Sequence, residues 1–130
     1  MTYVAETFGP QGWGNYLVDW SSGQPMFEPV NRAASMLLIP GFVDLHLHGA
    51  FGLDFMDASR EDMLVLAHKL EDCGYEAFLP TTVTASAQAV LQAVANLPED
   101  DRTPGFHLEG PFISPAFPGA QPKEFIALPP

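Results

Sequence analysis

The sequence predicts an α/β protein: the front of a parallel βαβαβ unit, preceded by a group of small β-strands. Three observations carry this prediction. From Ile39 onward, strand-like and helix-like runs alternate. Before Ile39, short apolar stretches are separated by turn signals. Polar side chains also gather at the carboxyl ends of the predicted strands: His46 and His48, then Thr81 and Thr82, then His107 and Glu109.

The elements follow in order. Residues 1–38 read as part of a small β-domain, with apolar stretches at Tyr16 to Trp20, Pro25 to Phe27 and Met36 to Ile39. Turns are expected at Gly12-Trp13-Gly14-Asn15 and Ser21-Ser22-Gly23. Trp13, Tyr16 and Trp20 are read as packing residues, because large aromatics usually fill cores and edges. Residues 39–130 read as the βαβαβ portion. Phe42 to Leu47 is a buried strand. Ser59 then caps a helix, with Asp62 three residues on as a partial capping box. Met63, Leu66, Ala67 and Leu70 recur at helical spacing, and Gly74 supplies a left-handed stop. Glu76 to Val83 reads as the next strand. Ser86 caps a second helix carrying Val90, Leu91 and Val94, which ends before Pro98. Gly105 to Leu108 begins a third strand.

Composition excludes several functions. The net charge of −11, with five basic residues and no two adjacent, argues against a nucleic-acid partner, since phosphate binding needs clustered Lys and Arg. No apolar run approaches membrane-spanning length, and no secretory signal pattern is present, so neither a membrane nor secretion is expected. The single cysteine, Cys73, rules out an internal disulfide framework and is read as a small buried hydrophobe.

A parallel unit of this kind fits an open doubly wound sheet or a (β/α) barrel. Gly49-Ala50-Phe51-Gly52 lacks the spacing of a dinucleotide fingerprint, and no phosphate-binding loop motif occurs. In a barrel, the carboxyl ends of the strands form the active-site rim, and a complete barrel takes about 250 residues. The 130-residue chain is therefore read as the first three strands of an incomplete TIM-like (β/α)8 barrel.

The candidate chemistry lies on those strand ends. Side chains two apart on a strand point the same way, so His46 and His48 converge, and imidazole is the commonest metal ligand. Glu109 offers a carboxylate to the same spot. Asp44 shares the histidine face and is expected to support it, and His107 is read as a supporting or packed residue. Thr81 and Thr82 are candidates to line the site, although threonine is common in strands. His68 reads as an ordinary helix-face residue, and Asp54 and Asp57 as loop residues at the helix entry.

Three motifs now carry a resemblance. Pro-Gly-Phe-Val-Asp-Leu-His-Leu-His-Gly from Pro40, Leu-Pro-Thr-Thr from Leu79 and His-Leu-Glu-Gly-Pro-Phe from His107 resemble the amidohydrolase superfamily. Within it they are similar to the N-acetylglucosamine-6-phosphate deacetylases, over about Met36 to Ile126. His-x-His after Pro-Gly-Phe is shared by many amidohydrolases, whereas His-Leu-Glu-Gly-Pro-Phe with Gly119-Ala120 shortly after is more specific to the deacetylases.

The resemblance implies a metal-dependent hydrolase barrel with a small β-domain built from both chain ends. It implies His46, His48 and Glu109 as metal ligands for one or two divalent ions, zinc or iron. It also implies Ala120 and Gln121 as substrate contacts, with Gln121 standing where the family usually has histidine. The implied reaction hydrolyses the acetamide of N-acetylglucosamine 6-phosphate, a small amino-sugar phosphate, to glucosamine 6-phosphate and acetate. The catalytic general-base aspartate and two further histidine ligands are expected beyond Pro130, so this chain alone is expected to be inactive. A cytoplasmic location and a homodimer at full length are also implied. The alternatives are a non-catalytic fragment or subunit of the same fold, or another amidohydrolase acting on a cyclic amide.

Overall fold

A computed structural model describes residues 2–129. They form two compact units, one ending at Pro40 and the other starting at Gly41. In the first, β1 (Thr2–Gly9) and β2 (Gly12–Asp19) make an antiparallel hairpin. β3 (Met26–Pro29) pairs antiparallel with β2, and β4 (Met36–Leu37) lies parallel to β1, giving the order β3-β2-β1-β4. The expected turn at Gly12 to Asn15 is instead the start of β2. The reversal falls earlier, at Pro10-Gln11, where proline presets its own φ and Gly12 accepts a φ of +96°. β1 is a strand the sequence pattern does not announce: its buried side chains are Val4, Ala5 and Thr7, which do not alternate as an all-apolar face would.

Ala5, Tyr16 and Val18 form the core of this unit, with Tyr3, Phe27 and Leu38 packed against them. Tyr16 buries its ring and still satisfies its hydroxyl, which donates to Gly12 O at 2.9 Å and accepts from Gln11 N at 3.2 Å. Trp13 and Trp20 stay exposed at the sheet surface, their indole N–H groups donating to Glu6 and Tyr3.

In the second unit, β5 (Phe42–Leu47) is followed by a small antiparallel pair, β6 (Gly49–Ala50) and β7 (Leu53–Asp54). Then come α1 (Arg60–Asp72), β8 (Tyr75–Pro80), α2 (Ala87–Ala95) and a 3-10 turn at Lys123–Phe125. β5 and β8 pair in parallel across α1, the expected βαβ connection. At the start of α1 the capping box is complete. Ser59 Oγ accepts from Asp62 N, and the Asp62 carboxylate accepts from Ser59 N at 3.0 Å. Those bonds from Ser59 hold the Asp62 carboxyl below its usual range. The buried residues of α1 are Met63, Leu66, Ala67 and Leu70, as the spacing predicts. With Phe55, Ala58 and Phe78 they make the core, where Phe55 and Phe78 stack at 5.9 Å.

Five expectations need correcting. β8 ends at Pro80, because Thr81 onward turns to meet another segment. The predicted third strand, Gly105 to Leu108, is reduced to one parallel bridge between Thr81 and His107, with His107 N donating to Pro80 O and Thr82 N to His107 O. Pro104 and Pro111 lie close on either side of this stretch, and proline has no N–H to extend a ladder. In α2 the buried position is Ala93, while Leu91 faces solvent. Cys73 is exposed, because it is the C-cap of α1 rather than a core position. Similarly, β5 is not buried in this chain: Phe42, Val43 and Leu45 are all more than half exposed, since β8 is its only partner among the described residues.

The loop after α2 is tied back by ions. Arg102 donates Nε and Nη2 to the two oxygens of Asp100, at 2.7 and 2.6 Å, and Nη1 to Glu71 at 2.6 Å. That bidentate bond from Arg102 holds the Asp100 carboxyl far below its ordinary value, at about 2. His68 accepts from Arg102 at 2.8 Å, so it joins this cluster on the helix face. No helix of the described residues is long and apolar enough to cross a membrane.

Candidate metal centre

The end of β5 aims its imidazoles by strand alternation and by four local bonds. Asp44 Oδ1 accepts from His46 N at 3.0 Å, so this carboxylate serves the backbone and makes no bond to the rings. Leu47 exchanges hydrogen bonds with Thr81, through Thr81 Oγ1 at 3.0 Å and Leu47 O at 2.9 Å. His48 Nδ1 donates to Thr81 O at 3.1 Å. The buried Thr81 therefore acts as the clasp between the two strand ends, and its hydroxyl does not face the site.

Glu109 arrives from the bridged segment. Its N–H donates to Thr82 Oγ1 at 3.3 Å, and its Oε1 accepts from Gln121 Nε2 at 2.5 Å. Its other oxygen, Oε2, lies 3.0 Å from His46 Nε2 and 3.1 Å from His48 Nε2, and those two nitrogens are 3.1 Å apart. The three side chains are 49%, 39% and 29% exposed, so the cluster opens to solvent. A glycine follows each arm. A Cβ on Gly49 (φ +149°) would meet Leu53 O at 2.0 Å, and one on Gly110 (φ +77°) would meet Thr84 Oγ1 at 1.9 Å. Only glycine lets the chain leave the site along these paths.

The donor triangle suits a cation. Since His48 commits its Nδ1 proton to Thr81 O, the neutral ring presents a lone pair at Nε2. Two imidazole nitrogens and a carboxylate oxygen then face one another, which is unfavourable without positive charge among them. Glu109 Oε2 is buried and lacks a hydrogen bond of good geometry. A single proton can link only one pair at a time, whereas a metal ion serves all three. Tetrahedral zinc, with bonds of ~2.0–2.1 Å, sets its ligand atoms roughly 3.3 Å apart, close to the spacing here. Among the described residues His46, His48 and Glu109 are the group so arranged.

His107 stays outside this triangle. Its ring meets His46 edge-on at 4.7 Å, and its Nδ1 donates to Leu45 O at 3.2 Å. Gln121 points inward, with Oε1 accepting from Thr84 N at 2.7 Å. Sequence reasoning did not single out Thr84. The available signal was its place three residues after Thr81, in a run of threonines continuing β8. Nor did it single out Arg102, whose pairing crosses from loop to helix. Asp54 bonds backbone N–H of Met56, as expected of a loop residue at a helix entry.

Fold and donors together define a class: a parallel β/α unit that gathers two imidazoles and a carboxylate at its strand ends, a donor set suited to a divalent cation. The chain is 37% identical over 113 residues to N-acetylglucosamine-6-phosphate deacetylase of Bacillus subtilis, covering 79% of this chain and 28% of that protein. It is 32% identical over 128 residues to the enzyme of that name from Danio rerio, covering 92% of this chain and 28% of that protein. Its structure superposes on the crystal structure of the Thermotoga maritima N-acetylglucosamine-6-phosphate deacetylase with a TM-score of 0.83 and 29% identity, covering 97% of this chain and 36% of that one. No family model matches the chain. The chain thus spans under a third of the length of these curated relatives, and it resembles the amino-terminal portion of the N-acetylglucosamine-6-phosphate deacetylases.

Proposed function

We propose that this chain forms the amino-terminal part of a metal-dependent deacetylase. The reaction is hydrolysis of the acetamide of N-acetylglucosamine 6-phosphate to glucosamine 6-phosphate and acetate. The observation that carries the reading is the convergence of His46, His48 and Glu109 within 3.1 Å of one another at the end of two parallel strands. In the whole protein β5, β8 and the segment through His107 are the first three strands of a (β/α)8 barrel, with the first unit part of a small β-domain.

His46, His48 and Glu109 hold the cation. When bound, a divalent ion supplies Lewis acidity that polarises an amide carbonyl and makes water acidic enough to attack near neutral pH. Thr81 keeps the His48 proton on the far side of the ring, and Glu109 supplies the negative charge that makes the site attractive to a cation. Ala120 and Gln121 lie on the turn closed by Gln121 N and Pro118 O, where they contact the sugar. Asp44 bonds its own strand, so the group that shuttles the proton to the amine comes from elsewhere in the whole protein. The enzyme works in the cytoplasm as a homodimer.

Acetate release from N-acetylglucosamine 6-phosphate by the full-length protein tests this. Chelation should abolish turnover, and zinc or iron(II) should restore it. His48→Asn and Glu109→Gln should each lower kcat/KM at least 100-fold. Full activity in the chelated protein, or in both variants, would overturn the assignment.

A further inference from the structure

The Gln121 side chain is engaged at both ends of its amide. Its oxygen accepts from Thr84 N at 2.7 Å, and its nitrogen donates to Glu109 Oε1 at 2.5 Å. The orientation is unambiguous, because a flipped amide would set N–H against N–H and oxygen against carboxylate. The Thr84 end is fixed: Thr84 is buried and follows closely on the Thr81 clasp at the end of β8. The Gln121 end is fixed by the turn in which Gln121 N donates to Pro118 O at 3.1 Å, with Gly119 at φ +61°. Glu109, by contrast, sits on a segment whose sheet pairing is one bridge. Its backbone bond to Thr82 Oγ1 holds the main chain and leaves the side-chain torsions free. Among the described residues, the only side chain bonded to Oε1 is Gln121.

We infer that Gln121 is a positioning residue: its amide, braced on Thr84 N–H, turns the Glu109 carboxylate so that Oε2 faces His46 and His48. This rests on the metal-site reading above and gives Gln121 a task separate from any sugar contact. One Nε2 hydrogen stays free, so the two tasks are compatible, but they fail differently. Loss of a sugar contact raises KM and leaves the cation's affinity alone. Loss of the brace lets the carboxylate swing away and weakens the cation whether or not sugar is present.

The test is cobalt(II) and zinc(II) affinity of the full-length protein, measured against a chromophoric chelator without substrate. Gln121→Leu removes both bonds, and Gln121→Met, more flexible and of similar length, serves if leucine does not fold. Affinity should fall about 10–100-fold, as when other groups that orient a ligand are removed. The cobalt(II) absorption bands should shift or weaken, while the unfolding midpoint of the metal-free protein stays within a few degrees. Affinity within twofold of wild type in both variants overturns the inference, and it does so decisively if KM has risen. A His46→Asn, His48→Asn double variant separates the two layers. If it binds cobalt as tightly as wild type, the metal-site reading falls and takes this inference with it. If it loses the metal and Gln121→Leu does not, only the role of Gln121 falls.

Discussion

The two halves of the second unit are built by different means. From β5 to β8 the chain is regular: a capped helix lays Met63, Leu66, Ala67 and Leu70 over Phe55 and Phe78, and two strands pair in parallel. After α2 the chain is mostly irregular, yet it carries Glu109. There the position comes from discrete polar links: Thr82 to Glu109 N, Gln121 to Glu109 Oε1, Thr84 to Gln121, and Arg102 to Asp100 and Glu71. The histidines thus rest on a strand paired with the helix-backed β8, and the carboxylate on side-chain hydrogen bonds. Damage to one half should therefore look unlike damage to the other.

Phe78→Ala should have the largest effect on stability. Phe78 is fully buried and stacked, so truncation should cost about 3–5 kcal/mol in urea unfolding. A loss below 1 kcal/mol would show that the helix-backed half does not rest on this core. Gly110→Ala comes next. It forces a side chain into positive φ against Thr84, with strain of up to about 3 kcal/mol. Its distinguishing sign is metal affinity, which should drop at least tenfold because Glu109 is the preceding residue. If Phe78→Ala harmed metal binding more than Gly110→Ala did, the division between the halves would be wrong.

The smallest effect is acid-dependent. The Asp100 carboxyl titrates at about 2 when folded, below its ordinary 3.8, because the Arg102 guanidinium stabilises its charged form. The link therefore contributes fully above pH ~4 and is lost as pH falls towards 2, with about 1–2 kcal/mol at stake. Comparing unfolding of wild type and Asp100→Asn from pH 6 to 2 checks this: the gap between them should close on acidification. A constant gap would mean that Asp100 contributes through packing alone.

What the sequence disclosed follows the same division. The α1 cap, its buried stripe and its stop at Gly74 depend on neighbours within a turn or two, and periodicity displays them. His46 and His48 were legible because a strand repeats every two residues. Gly105 to Leu108 has strand composition, yet the third strand shrinks to one bridge because its pairing depends on partners remote in sequence. β1 was missed because Thr7 and Glu6 break its apolar alternation, although its partner strand pairs along its whole length. The Gln121 amide reaches Glu109 across 12 residues and a turn, and no local pattern announces such a contact. The residue type of Cys73 favours the core, whereas its position as C-cap decides its exposure.

One feature of β5 has a practical side. Its second edge has no strand partner among the described residues and is flanked by the exposed Phe42, Val43 and Leu45, which makes it adhesive towards any extended peptide. At working concentrations the 130-residue chain should clump through this rim, and a capping strand supplied in trans should suppress it.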